Sequence, residues 1–172
     1  IVDAARRAFA DLVGTVPAGV VLGASSAVLL QRLADALAQH WTVGDEVVVS
    51  RLDHPANVVP WQRAAQRCGG TVRRAEVDIE TCELPTWQYR ELVTNRTKVV
   101  ALTAASGAVG TCPDVPAAAE VAARHDALVV VDTSAAAPFL PLDMPAIGAD
   151  VVAVNAAAWG GPPVGALAFR DP

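Results

Sequence analysis

Asp150–Phe169 reads DVVAVNAAAWGGPPVGALAF: two apolar runs separated by Asn155, three alanines, a tryptophan and a tight GGPP turn. DVVAVN (150–155) and VGALAF (164–169) are short and apolar at successive positions, the pattern of strands buried on both faces. The second run begins nine positions after Asn155. A parallel crossover needs about a dozen residues or more, so this pair is predicted to be antiparallel. The end of a buried strand is also where an α/β protein usually keeps reactive side chains, yet this one offers only methyl groups.

Working outward, the same pattern recurs. VVLG leads through a turn at Gly23 into a predicted helix starting near Ser25, with a serine available as cap. EVVVS (46–50) precedes a predicted helix over 58–67, TVRRAEV (71–77) one over 86–93, and KVVALT (98–103) one over 115–125. ALVVVD (127–132) runs through a loop to DVVAVN, and Ile1–Val13 has apolar residues at helical spacing. The fold class is therefore three-layer α/β/α, with a mostly parallel seven-stranded sheet, its last strand antiparallel.

At 172 residues the chain is one domain with a full core. It is 53% hydrophobic, but no apolar stretch reaches the length of a membrane span. A net charge of −5 without a basic patch argues against nucleic acid as a partner. Cys68, Cys82 and Cys112 are odd in number and far apart, which gives neither a disulfide framework nor a zinc pattern and makes a reducing cytoplasm the expectation. IVDAARRAFADLV opens as mid-helix and FRDP follows a strand, so both ends are expected to be internal to a longer protein.

Ligands of open α/β sheets bind outside the carboxyl ends of the strands. That rule selects GASS, RLDHPAN, TAASGAVGT, VDTSAAA and NAAAW. GASSA (23–27) offers backbone N–H groups at a helix N-terminus, either an anion cradle or simply a capped helix. Asp132 is a carboxylate emerging from a buried strand and needs a partner, whether a ligand, a cap or an ion pair. His54 is a binding candidate or a solvated loop residue. Trp61 and Trp159 read as packing anchors, and Cys112, with nothing near it to lower its pKa, reads as inert.

Together these stretches resemble the class V aminotransferase family of pyridoxal-phosphate enzymes, the branch of cysteine desulfurases and selenocysteine lyases. The resemblance is carried by GDEVVVSRLDHPANVVPWQ (44–62), a hairpin-like VDIETCEL (77–84), TKVVALTAASGAVGT (97–111), HDALVVVDTSAAAPFLPLDMPAIGADVV (125–152) and WGGPPVGAL (159–167). WGGPPVGA resembles an uncharacterised actinobacterial branch. The resemblance implies strand order 3-2-4-5-6-7-1 and a large-domain core, residues 1–172, of a longer protein with an N-terminal arm and a C-terminal small domain. It also implies a homodimer for the full-length protein and a small-molecule amino acid as substrate.

By the same resemblance, Gly23, Ala24 and Ser25 fall on the family's phosphate-holding Gly-Thr-Thr turn. His54 falls on the catalytic histidine stacked over the pyridine ring, and Asp132 on the aspartate paired with the pyridinium nitrogen. Gly107 stands where an Asn contacts the ring hydroxyl, and Ala135 where a Gln or His is expected. Asn155, Ala156, Ala157 and Ala158 lie over Ser/Thr-x-His-Lys, so Ala157 replaces the phosphate-binding His and Ala158 the Schiff-base lysine. Lys98, the sole lysine, starts the fourth strand at the far end of the sheet.

Two functional readings follow. In one the chain is a catalytically degenerate relative that binds or scaffolds. In the other it is a lysine-independent enzyme holding pyridoxal phosphate or pyridoxamine phosphate non-covalently through Ser25, His54 and Asp132. A nicotinamide-dependent oxidoreductase shares the layered architecture but would need a G-x-G-x-x-G fingerprint, which the sequence lacks.

Overall fold

The computed structural model describes residues 1–172. Seven strands make one sheet: β1 (Val20–Gly23), β2 (Glu46–Ser50), β3 (Thr71–Ala75), β4 (Thr97–Thr103), β5 (Leu128–Asp132), β6 (Val151–Asn155) and β7 (Gly165–Phe169). Their order is β3-β2-β4-β5-β6-β7-β1, as expected. β7 runs antiparallel to both its neighbours, and β2 to β6 pair in parallel.

Strand side chains alternate between faces, and the two faces feed separate cores. Val48, Val100, Leu102, Val129, Val131, Val152 and Val154 pack with α1 (Val2–Val13), α4 (Tyr89–Leu92), α5 (Val115–Ala123) and α6 (Met144–Ile147). Val47, Val49, Val99, Ala101, Val130, Val151 and Ala153 pack on the other face with α2 (Ser26–Leu37) and α3 (Val59–Arg67). Continuous Val-rich runs are what a strand needs when helices cover both sides.

After β3 the chain returns past β2 to build β4, so β2 and β4 are neighbours whose connections leave in opposite directions. That switch point opens a crevice at the carboxyl ends of the strands. Trp61 of α3 is completely buried in the core on one face of the sheet.

Several local expectations are corrected. The helix expected over 86–93 is a 3₁₀ turn, Thr86–Gln88, followed by the single turn of α4; Thr86, Trp87 and Val93 are weak helix formers. VDIETCEL pairs with no strand and forms a closed turn. The Asp78 N–H donates to Glu83 O and the Cys82 N–H to Asp78 O, with Cys82 in the left-handed region at φ 57°. β3 stops at Ala75 because the next amide, Glu76, donates to the Gln88 side chain instead of a strand. Trp159 is 37% exposed rather than a packing anchor, its indole N–H turned back to Asn155 O.

One close approach fixes how α2 meets the sheet. A Cβ added to Gly165 would overlap the backbone of Ser25 and the amide of Ser26, so only glycine lets β7 pass beneath the start of α2. A Cβ on Gly107 would meet only the Ala135 methyl, at 3.7 Å. Gly165→Ala is therefore expected to lower unfolding free energy by about 3 kcal/mol, the upper end of overpacking costs. Gly107→Ala should stay within about 0.5 kcal/mol of the parent protein. Urea denaturation of both variants checks this, and equal losses would refute it.

Candidate functional site

The loops at the carboxyl ends of β2, β4, β5 and β6, with the first turn of α2, enclose a cavity of ≈ 580 Å³. That is within the range of small-molecule pockets, about 300–1,000 Å³. His54, Asp132, Asn155 and Ala158 all line it, although they come from three different strand ends. Gly107 and Ala135 line it too.

The GASS turn contributes differently from expectation. Gly23, Ala24 and Ser25 are not on the cavity wall, whereas Ser26 and Ala27 are. Ser25 is the N-cap of α2, its Oγ accepting the Val28 N–H at 3.3 Å, which commits that hydroxyl to the helix. The amides of Ser26 and Ala27 belong to the first turn, where no intrahelical carbonyl can meet them. A helix N-terminus of this kind suits an anion.

Asp132 ends β5 and is 7% exposed. Its Oδ1 accepts the Ser134 N–H at 2.9 Å, and it forms no ion pair. His54 precedes a short 3₁₀ turn, Pro55–Asn57, and its Nδ1 accepts the Ala56 N–H at 3.1 Å. That bond fixes the ring at the cavity rim and leaves Nε2 as its free nitrogen. No lysine or arginine lines the cavity. Lys98 is the second residue of β4, at the amino-terminal end of the strand and away from the cavity, and pairs with Asp45 at 3.5 Å.

Sequence reasoning missed Asp53, which also lines the cavity. The residue keeps partial surface exposure, but its carboxylate turns inward, accepting from Ser50 Oγ and from Asn57 Nδ2 at 2.7 Å. Burial pushes its pKa up to about 7, opposed by those hydrogen bonds and reinforced by the nearby Asp132 charge. The signal was in the quoted DHPAN: an acid three residues past a strand-end Ser and four before a buried Asn. Two further polar atoms on cavity-lining residues, Asn155 Oδ1 and Ser134 Oγ, are buried without a hydrogen-bond partner. Orphaned groups of this kind are uncommon in folded proteins and suit a ligand.

A class-V aminotransferase family model matches residues 1–171. The chain belongs to the class-V aminotransferase family. An uncharacterized protein of Mycobacterium tuberculosis is 56% identical over the whole chain, which covers 43% of that protein. A probable cysteine desulfurase of Streptomyces coelicolor is 38% identical over 68% of this chain and 28% of its own length. Among solved structures, the Escherichia coli cysteine desulfurase CsdA superposes with a TM-score of 0.91 at 27% identity, over 98% of this chain and 43% of that one. The chain thus spans less than half the length of these relatives, is cysteine desulfurase-like, and has the sheet of a pyridoxal-phosphate-dependent transferase large domain.

The family uses pyridoxal phosphate, and the cavity fits such a group in part. A heteroaromatic ring has an unpaired carboxylate at Asp132 and an imidazole at His54. A phosphate has the Ser26 and Ala27 amides, but no side-chain cation. Among this chain's residues, none that line the cavity carries an amine for a covalent link.

The raised Asp53 pKa has a stability consequence. A carboxyl whose folded pKa exceeds its unfolded value favours the fold while protonated, an advantage complete below the ordinary value of 3.8 and lost as pH rises towards 7. Wild-type stability should fall across that window relative to Asp53→Asn, with a maximum slope of about 1.4 kcal/mol per pH unit. Denaturant midpoints of the two proteins at several pH values measure this, and parallel profiles would contradict it.

Proposed function

We propose that this chain holds a vitamin B6 phosphate, pyridoxal or pyridoxamine phosphate, without a covalent link and without lysine-dependent catalysis. The observation that carries the reading is Ala158: its methyl group lines the same cavity as Asp132 and His54, at the position where the family's motif places lysine. Ala157 at the histidine position, Gly107 and Ala135 are further departures at one site, which fits relaxed selection better than a single exchange. On this reading the chain is the cofactor-binding core of a homodimeric protein about twice its length, in keeping with the 43% it covers of its Mycobacterium tuberculosis relative.

The bound group would supply an electron-withdrawing ring that stabilises negative charge on an attached amino acid. This chain's residues would bind and orient it. Asp132 would hold the proton on the ring nitrogen, His54 would cover one face, and the Ser26 and Ala27 amides would meet the phosphate. Asn155 would present its unpartnered Oδ1 to the cavity that Ala158 also lines, where this chain supplies no amine to take up or return a substrate proton.

A second reading, an enzyme acting on an amino acid without lysine, draws support from the free Nε2 of His54 at the cavity rim, a nitrogen able to move a proton. Conversion of an added 2-oxo acid into its amino acid by the pyridoxamine phosphate-loaded protein would select it. No conversion would leave the first.

Wild-type protein mixed with pyridoxal phosphate and borohydride should yield no adduct in the cavity by peptide mass mapping, and Ala158→Lys should yield one at position 158. Pyridoxamine phosphate should bind saturably, and Asp132→Ala should weaken binding about 10-fold or more, the loss of a charge-assisted hydrogen bond. Absence of binding at millimolar ligand ends the reading.

A further inference from the structure

The reading above leaves one acid of the cavity without a task. Asp53 lies in the loop after β2, and its carboxylate is gripped from several elements. Ser50 Oγ at the end of β2 donates to one oxygen and Asn57 Nδ2 to the other. Asn57 is completely buried and held in turn, donating to Leu102 O at 3.3 Å and accepting from Trp61 Nε1 at 3.5 Å. The Thr103 backbone at the end of β4 also faces Asp53. From α4 comes Tyr89, whose buried hydroxyl has no hydrogen-bond partner and whose ionisation is pushed up by burial and, secondarily, by the Asp53 charge. From β5 comes Asp132, and from the same loop His54.

Nothing among these groups neutralises the two carboxylates. Neither Asp53 nor Asp132 forms an ion pair, and the His54 Nδ1 is occupied as an acceptor. Two acids on one buried wall without a cation are costly to ionise together, so one tends to keep its proton. The hydrogen bonds to Asp53 come from fixed, buried partners, which hold its carboxyl in place in both protonation states.

We propose that Asp53 and Asp132 form a proton-linked pair, in which docking of a cationic ring nitrogen or amine against Asp132 drives the proton off Asp53 into solvent. The balance is simple: a positive charge enters the cavity, one O–H bond of the Asp53 carboxyl breaks, its electron pair stays on oxygen, and a proton leaves. Binding of a cation then tightens as pH rises through neutrality, because less work is needed to remove that proton. Asp53 is a positioning residue here: it sets the charge that Asp132 works against and need not touch the ligand. The choice of ligand rests on the vitamin B6 reading; the pair itself does not.

Two measurements test this, and they separate the two ideas. In ligand-free protein carrying ¹³C-labelled aspartate, the Asp53 carboxyl should titrate near neutrality, and Asp132→Asn should move that midpoint down by about half a unit or more, as removal of a like charge does. Titration in the ordinary carboxylate range, or a midpoint unmoved by Asp132→Asn, overturns the pair. Calorimetry of pyridoxamine phosphate binding in buffers of differing ionisation enthalpy then counts protons. At pH 7 wild type should release about a quarter to half a proton more than Asp53→Asn, the linkage expected of a group half-protonated before binding whose midpoint falls by about half a unit or more. The difference between the two proteins cancels any proton gained by the ligand. Equal counts with intact binding overturn the linkage. If neither protein binds pyridoxamine phosphate, the B6 reading fails and the carbon titration alone decides the pair.

Discussion

A carboxylate delivered by a buried strand, with no cation of this chain to meet it, is the constraint on which this site turns. Asp132 closes β5 at 7% exposure, and its one hydrogen bond comes from a backbone amide two residues away. Leaving such a charge unpaired is expensive in a folded protein, and a ligand bearing positive charge relieves it. The rest of the cavity is consistent with that demand. Apart from His54 at the rim, the side chains that line it offer acceptors, hydroxyls and methyl groups but no basic nitrogen.

The sheet imposes the arrangement. The hop from β3 past β2 to β4 opens the crevice. The antiparallel β7, admitted under α2 only because position 165 is glycine, sets the first turn of that helix at the cavity edge. The same packing places Ala158 on a short 3₁₀ turn after β6, on the wall shared with Asp132 and His54. The fold thus brings four strand ends and a helix N-terminus to one cavity.

Much of this was legible in the sequence, for identifiable reasons. Val-rich runs at parallel-strand spacing mark buried strands, and the short link from Asn155 to Val164 forces an antiparallel turn. Strand order is not written in periodicity and came from resemblance. Asp53 escaped because its importance depends on Ser50, Asn57 and Asp132 converging, which only the tertiary structure shows. The task of Ser25 stayed open in the sequence: a serine before a helix can cap it or face a ligand, and in the structure the cap takes the hydroxyl. VDIETCEL and Trp159 misled because apolar residues near a turn can stay exposed when the turn satisfies its own backbone bonds.

Crystals of the protein soaked with pyridoxamine phosphate measure the central claim most directly. The account calls for ring density between His54 and Asp132, its phosphate at the Ser26 and Ala27 amides, with no continuous bond to any side chain. Density joined to a protein nitrogen, or a cavity holding only water at saturating ligand, would contradict it.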